Sequence, residues 1–588
     1  MSQAWVQEIL EKTSTFERDH GSHLRDWNRN DRLYRSIPVK SRSENQSNTF
    51  IPEMFVEVEA LATAVFEMVM SDTTDALFFD VVGQDGTLDD TVRAMVTKAT
   101  LAKQIEVVEL QSKLMPFFRG LILQGSQPIS LPWRVGYKSY YDRGLRKRVP
   151  AFDSWDFLSV KIFNFAFDDA VDSIENASWA AQTMHVNAMS ARRMAKNGIW
   201  SAKAVDKALP SGIMRNPHEE ESRRTAGYLT QFNQGKGLTA VEYFGTLESK
   251  DDGEIYWAVA SKNGQPLKEP ELNPYGHGEL QWMMARWFTV AEEPLGIGIG
   301  HVNYRQQAEI NDRRNFINDL LYASLYSMWL KRSDSGIMLP GNKMRYSPHQ
   351  ILEGDIISDE ALRPLRPDMS GLSGAINLEA GDIERMRRHS GATSTLQAQA
   401  TGITATETTA IQSEATRRVK AMVRSELGGF LRKMLYRAHA LNLQLMDRPL
   451  IARIMNSDGL EVFGEVTNRD LILNPDIRIK LTTDLDFRPF KRRELIEMLE
   501  VFARLSQTGV LGSRRLVPDP IVEELARTYG MDPRKFFSRD GVIEAETRRA
   551  TQSPDVQQNA LQQLMAESPG AQEVLASGMA SGVPAGAI

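Results

Sequence analysis

The chain has 588 residues, 42% apolar and 25% charged, with a formal net charge of -6 and no cysteine. Such a length implies more than one core, and the composition is that of an ordinary folded protein. The acidic balance argues against a protein whose task is to hold nucleic acid tightly by neutralising phosphates, though passing contact with DNA stays open. The missing cysteines exclude disulfides, cysteine-held zinc, iron-sulfur clusters and thiol nucleophiles, and fit assembly in a reducing cytosol.

At the N-terminus, MSQAWVQEILEKTSTFERDH has acids from Glu8 onward and no apolar core behind a basic start, so no signal peptide is expected. A helix is expected over Ser2 to Asn30, then a loop to residue 46. Phe55, Val58, Leu61, Ala62, Val65 and Val69 follow helical spacing behind Pro52, which suits a first turn. Glu67 interrupts Ala60 to Met70, the most apolar stretch, which falls short of the ~20 residues that span a bilayer. A soluble protein without a membrane partner is expected.

Another helix covers about Leu88 to Leu123. Gln127 to Tyr141 then alternates through Ile129, Leu131, Trp133, Val135 and Tyr137 as a half-buried strand would. Strands and turns continue over Val241 to Thr289, with Gly253, Gly264, Pro266 and Pro274 as breakers. The first half is therefore α+β.

Two long helical stretches organise the rest. Gly300 to Leu330 spaces Ile310, Ile317, Leu320, Leu321, Leu325 and Met328 mostly three or four apart, on one face. Thr404 and Glu407 have capping-box spacing, and the pattern they open runs through Val419, Met422, Leu427, Phe430, Met434 and Leu441 to a stop at Pro449. Unbroken, that helix would be roughly 64 Å long, with Gly428 and Gly429 as the candidate bend. Between the two lie a Pro- and Gly-punctuated insert, a short charged helix around Asp382 to His389, and the uncharged run Ser390 to Ile403. Short strands are expected from Asn456 to Phe487, helices around Leu495 to Leu505 and Asp519 to Tyr529, and a mobile tail after Arg549.

No phosphate-loop motif G-x-x-x-x-G-K-[ST] and no G-x-S-x-G elbow occur. Gly296, Gly298 and Gly300 come nearest to a phosphate loop, but His301 stands where a dinucleotide fingerprint would want glycine, and a tight helix start is the favoured reading. The nine histidines are scattered, without the i,i+4 pair that holds zinc on a helix. Asp168, Asp169, Asp172 and Glu175 could be drawn as a carboxylate site for a metal or for acid-base work. Neighbours in sequence usually diverge in direction, so a solvated turn is favoured; a cytosolic α+β metal-dependent hydrolase is the alternative that rests on these residues. Trp282, Trp287, Phe288, Trp329 and Tyr436 could stack on bases, yet their spacing suits core packing. No catalytic residue, cofactor or metal is expected.

Four segments, in this order, resemble the portal or head-to-tail connector proteins of tailed bacteriophages, in particular those of short-tailed phages. They are Ser47-Asn48-Thr49-Phe50-Ile51-Pro52 leading into a helix, Leu123-Gln124-Gly125 before Ile129 to Trp133, Asn273 to Gly300 with Glu293-Pro294-Leu295-Gly296-Ile297-Gly298, and Gly402-Ile403-Thr404-Ala405-Thr406-Glu407. The resemblance implies a mainly helical α+β portal fold with wing, stem, clip and crown. Residues 1–294 would be the N-terminal wing, 295–330 the first stem helix, 331–374 the clip, 375–391 the second stem helix and 392–403 the tunnel loop. Residues 404–486 would complete the wing, 487–551 form the crown, and 552–588 hold a possible barrel helix and a flexible tail.

By the same resemblance the protein would be a structural homododecamer at one vertex of the virion capsid, assembled in the host cytoplasm, through which double-stranded DNA enters and leaves. Its partners would be the terminase large subunit, the tail adaptor or head completion protein, and the major capsid and scaffolding proteins. The resemblance implies a clip contact through Lys343, Arg345, Glu353 and Asp355, and a channel lining by Thr393, Ser394, Thr395, Gln397, Gln399 and Thr401. A neutral lining has its own physical reason, since each cation facing a duplex adds salt-dependent affinity and a ring multiplies it. A flexible surface loop fits the composition equally well. Arg385, Arg387 and Arg388 could pair with acids of a neighbouring subunit or face the channel, with surface ion pairs the commoner outcome. A non-channel helical adaptor, monomeric or dimeric, also stays open.

Overall fold

The computed structural model describes residues 4–38, 46–70, 78–84, 87–142, 145–225, 227, 237–250, 252–325, 328–331, 362–365, 368–390, 419–455 and 461–480. Residues 1–454 and 463–483 form one compact unit; 455–462 and 484–588 form a second, of which only residues 455, 461 and 462 are described. The described chain is α+β. No helix among the described residues is long and apolar enough to cross a membrane.

The expected N-terminal helix is two, α1 (Ala4–Asp19) and α2 (Gly21–Tyr34), broken at His20. Apolar spacing then produces α3 (Glu53–Val69), which buries Met54, Val58, Leu61, Ala62, Val65 and Met68. Pro52 stands at its N-cap rather than in its first turn, and Phe55, expected on the buried stripe, is 41% exposed. β1 (Phe79–Val82) follows, and then α4 (Leu88–Val108) and α5 (Leu110–Gln124) replace the single helix expected there. Glu109 makes the break by adopting φ 54, a left-handed conformation that propensity does not announce for glutamate. The Thr87 hydroxyl caps α4 by accepting from the Asp90 amide at 3.2 Å, with Asp89 and Asp90 in the first turn suiting the helix dipole.

The strand expected over Gln127 to Tyr141 is also divided. β2 (Ser126–Ser130) is buried throughout, whereas β3 (Trp133–Asp142) leaves the core as a ribbon with β4 (Leu145–Trp155). Val135 and Tyr137, expected to be half-buried, are 47% and 45% exposed. β5 (Leu158–Ser159), β6 (Phe165–Phe167) and β7 (Trp179–Asn187) come next, then α6 (Ala188–Lys196), α7 (Ala202–Ala208) and α8 (Pro217–Thr225). β8 (Gly237–Gly245), β9 (Tyr256–Ser261), β10 (Pro266–Leu272) and β11 (Trp282–Arg286) fall where strands were expected.

β10, β9, β8, β7 and β6 form, in that order, an antiparallel five-stranded sheet. On one face Trp5, Val6 and Ile9 of α1 pack on Val241 and Tyr243; on the other, Ala191, Trp200 and Val205 pack on Leu238 and Ala240. Helices on both faces explain why β8 is apolar at consecutive positions rather than at alternate ones. β11, β2 and β5 form a second sheet beneath the main core of α3, α5 and the long C-terminal helix, where Phe117, Leu121, Leu431, Met434 and Leu435 are buried. Each such side chain contributes about 1.5–3 kcal/mol when removed from water.

α9 (Ile299–Leu325) stops short of the expected Leu330, because Met328 enters β12 (Met328–Lys331). β12 pairs antiparallel with β13 (Leu362–Leu365), and α10 (Leu372–Ser390) runs back along α9. At 19 residues α10 is longer than the short helix expected, and it takes Leu372 to Gly374 from the clip assigned by resemblance. Residues 419–422 are helical and lead through a π turn at Val423–Leu427 into α11 (Gly428–Leu445). The bend expected at Gly428-Gly429 is thus a widened turn just before them. After β14 (Leu450–Met455) and β15 (Glu461–Val466), β16 (Asp476–Ile479) pairs with β1, setting Ile477 against Val81. Lys343, Arg345, Glu353 and Asp355 of the clip, Thr393, Ser394, Thr395, Gln397, Gln399 and Thr401 of the tunnel loop, the start of the long helix, the crown and the tail lie outside the described residues.

Candidate functional site

Three of the four resembling segments meet on α9, two of them at its start. Gly125 has φ 87, and a Cβ on it would lie 2.3 Å from the Gly298 nitrogen and 2.4 Å from the Gly296 oxygen. A Cβ on Gly298 would lie 2.4 Å from the Leu123 oxygen, so the two backbones approach as only glycine permits. The Trp287 amide donates to the Gly125 carbonyl at 2.8 Å, and the Gly296 amide donates to the Ser126 hydroxyl at 2.8 Å. The space over this glycine run is therefore filled by residues 123–126, and the run acts as a tight helix start.

The third segment lies along α9. Its backbone is held by a ladder of side chains one helical turn apart: Asp319 accepts from the Ser47 amide at 2.6 Å, Asn315 from Thr49 at 2.6 Å, Asn311 from Ile51 at 2.9 Å and Gln307 from Met54 at 2.8 Å. Asn315 and Gln307 also donate to the Thr49 and Ile51 carbonyls, at 3.0 and 2.7 Å. The match is geometric. Four helical residues rise about 6.0 Å and two extended residues about 6.6 Å, so from Ser47 to Ile51 every second amide finds the next rung, and the last step, to Met54 in the first turn of α3, takes three residues. The apolar pattern did not draw attention to these residues, although polar side chains at 307, 311, 315 and 319 are a visible i,i+4 series.

α10 is clasped to the same place. Arg313 pairs with Asp382 at 2.5 Å, the Arg314 Nε donates to Glu379 at 2.9 Å, and both carboxylates are buried. Arg387, a candidate channel or intersubunit residue, turns inward to Glu53 of α3 at 3.1 Å, with both side chains largely buried. Arg385 and Arg388 pair along their own helix, with Asp382 at 3.1 Å and Glu384 at 3.3 Å. All three cations thus have intrachain partners. Where α3, α9 and α10 meet, Glu57 is wholly buried and accepts from the Asn303 amide at 2.8 Å, while Asn303 also donates to the Met386 carbonyl at 3.1 Å. Burial pushes the Glu57 carboxyl up to about 8, against the Asn303 hydrogen bond and the Arg387 charge.

Further along α9 the same stripe changes environment. Ile310 and Ile317 are buried, but Leu321 and Leu325, which continue their face at four-residue steps, are 37% and 70% exposed. Phe316 and Tyr322 on α9 and Ile376 and Leu378 on α10 are also exposed. Exposed apolar side chains in this number on a charge-clasped helix pair make a surface suited to another protein.

The carboxylates of the Asp168 turn take separate partners: Asp168 accepts from the Ser178 hydroxyl at 2.5 Å, Asp169 faces His20 at 3.4 Å, Asp172 accepts from Asn176 at 2.9 Å, and Glu175 pairs with Lys433 at 3.2 Å. Among the described residues no group of three His, Asp or Glu side chains could hold a metal ion. Trp282 and Trp287 are buried, and Phe288 and Tyr436 pack against the main core, as their spacing implied; the side chain of Trp329 lies outside the described set. A polar cleft of about 690 Å³ beside β7 is lined by Lys161, His185, Arg215, Glu219 and Arg223, residues too scattered in sequence to be singled out. There His185 Nε2 lies 2.7 Å from Glu219 and its Nδ1 lies 3.2 Å from the Thr239 hydroxyl. Burial opposes ionisation of Glu219, but His185 and Lys161 outweigh it and hold the carboxyl at about 2. No protein-family model matches the chain, and no curated protein matches it.

Proposed function

We propose that this chain is a structural subunit of a closed ring, the portal of a tailed bacteriophage, with α9 and α10 as its stem. The observation that carries the reading is the apolar stripe of α9, buried at Ile310 and Ile317 and bare at Leu321 and Leu325. A stem packed sideways on identical neighbours supplies the missing cover. The antiparallel pair β12–β13 at the far end of the helix pair leads to and from residues 332–361, which fall within the 331–374 assigned to the clip. The polar ladder supports the same reading, because it ties the segment before α3 to the base of the stem and would fix the angle at which the stem leaves the wing.

In this proposal the protein carries no catalytic residue, and packaging energy comes from a terminase motor that docks on the clip before the tail adaptor does. Double-stranded DNA passes the neutral run after His389 without sequence specificity. Electron microscopy of the purified protein tests this. Rings with a central hole wide enough for a duplex are expected, and particles without a hole at every concentration would contradict it.

A further inference from the structure

We propose that the polar cleft beside β7 binds a small organic phosphate, a phosphate ester carried on a polar body such as a sugar. Its volume, about 690 Å³, lies in the range of small-molecule sites. Three separate stretches build it: Ser159 to Asn164, Gln182 to Asn187 of β7, and Ile213 to Arg223, which includes most of α8. Lys161, Arg215 and Arg223 bring three cations, and among the described residues that line the cleft Glu219 is the one acid. Glu219 is buried and already engaged, 2.7 Å from the His185 Nε2 and 3.7 Å from the Lys161 Nζ. The cleft therefore keeps an excess of positive charge on a chain whose net charge is -6.

Arg215 is the anchor. Its side chain is only 9% exposed, its ion-pair partner Glu220 stands 3.9 Å away, and its Nε is buried without a hydrogen-bond partner among the described residues. A buried donor left without an acceptor is costly, and an anion in the cleft supplies the acceptor. The guanidinium presents its donors as a fork that matches the oxygens of a phosphate or carboxylate. Three cations against one engaged acid favour the double charge of a phosphate ester over the single charge of a carboxylate. Ser159, Asn164, Gln182 and Thr183 line the remaining space with polar groups, which suits a sugar better than an apolar body. The site binds and does not cleave. His185 stands between Glu219 and the Thr239 hydroxyl, as in a hydrolytic triad, but that hydroxyl is buried, donates to the Met214 carbonyl at 3.0 Å and accepts from the Met214 amide at 2.8 Å. Its proton is committed elsewhere, so His185 cannot turn it into a nucleophile.

The inference does not depend on ring formation. Isothermal titration calorimetry on the full-length protein, with ribose phosphate, ribose and inorganic phosphate as probes, tests it. Wild type should bind the ester, bind inorganic phosphate more weakly, and show no measurable heat with ribose. Arg215→Gln should weaken the ester at least about tenfold, as the loss of a hydrogen bond to a charged group does, and Lys161→Gln about fivefold, since that side chain is 61% exposed. A control, Lys207→Gln on α7, where the residue is exposed, should bind as wild type does. The exposed position of Lys161 keeps its variant folded, so it decides the matter if Arg215→Gln fails to fold. No binding of the ester by wild type, or an affinity unchanged in Lys161→Gln or in a folded Arg215→Gln, would overturn the proposal. So would inorganic phosphate bound as tightly as the ester, which would remove the organic body from the account.

Discussion

The two halves of α9 differ in what surrounds them more than in what they are made of. From Ile299 to Ile317 one face of the helix is enclosed, with Ile310 and Ile317 inside the core and Gln307, Asn311 and Asn315 bonded to a neighbouring stretch of backbone. From Leu321 onward the same stripe continues into solvent. In the proposed ring, the point where this stripe outruns its core is where the neighbouring subunit would take over its cover.

The first half should be costly to disturb. Ile310→Ala removes a fully buried side chain, and a loss of about 2–5 kcal/mol is expected in denaturant unfolding. A loss no larger than that of a surface substitution would show that the enclosed half does not hold the core. Glu57→Gln sharpens the same point through pH. The folded pKa, about 8, lies above the ordinary value of 4.5, so the folded state takes up a proton and wild-type stability falls as pH rises from about 4.5 to 8, then levels off. The variant should lack that decline and exceed wild type above pH 8 by on the order of 5 kcal/mol. Parallel stability curves for the two proteins across this window would refute the buried-carboxyl account.

Asn315→Ala cuts both hydrogen bonds to Thr49 and should cost about 1–3 kcal/mol, with faster amide exchange over residues 47–51. Unchanged exchange there would mean that the ladder does not hold the strand. In the second half, Leu325→Glu should change the stability of a single subunit by less than about 0.5 kcal/mol, since the side chain is already 70% exposed. Its effect should fall on assembly instead.

Much of this was legible in the sequence, and the misses have physical causes. The stripe on α3 and α9 and the stop before Pro449 follow from periodicity and proline chemistry, which act locally. The breaks at His20 and Glu109 do not, because each joins two good helical patterns through a residue without glycine's conformational freedom. β7 was missed since Ala180 and Ala181 pack closely between layers without the β-branched signature of a strand. Val135 and Tyr137 were placed inside because alternation reports that a strand has two faces, not whether anything covers them. Of the candidate site, the glycine run and its role as a helix start were visible, whereas its fit against residues 123–126 is long-range. The ladder was written plainly at positions 307, 311, 315 and 319, but its partner lies about 260 residues earlier, as in the separation of Ile51 from Asn311.

The most direct test of the account is native mass, measured on the wild-type protein and on Leu325→Glu side by side. A wild-type species near twelve times 66.2 kDa, reduced to single subunits of unchanged fold in the variant, is the predicted result. A wild-type protein that stays at 66.2 kDa at every concentration, or a variant that assembles as well as wild type, would contradict it.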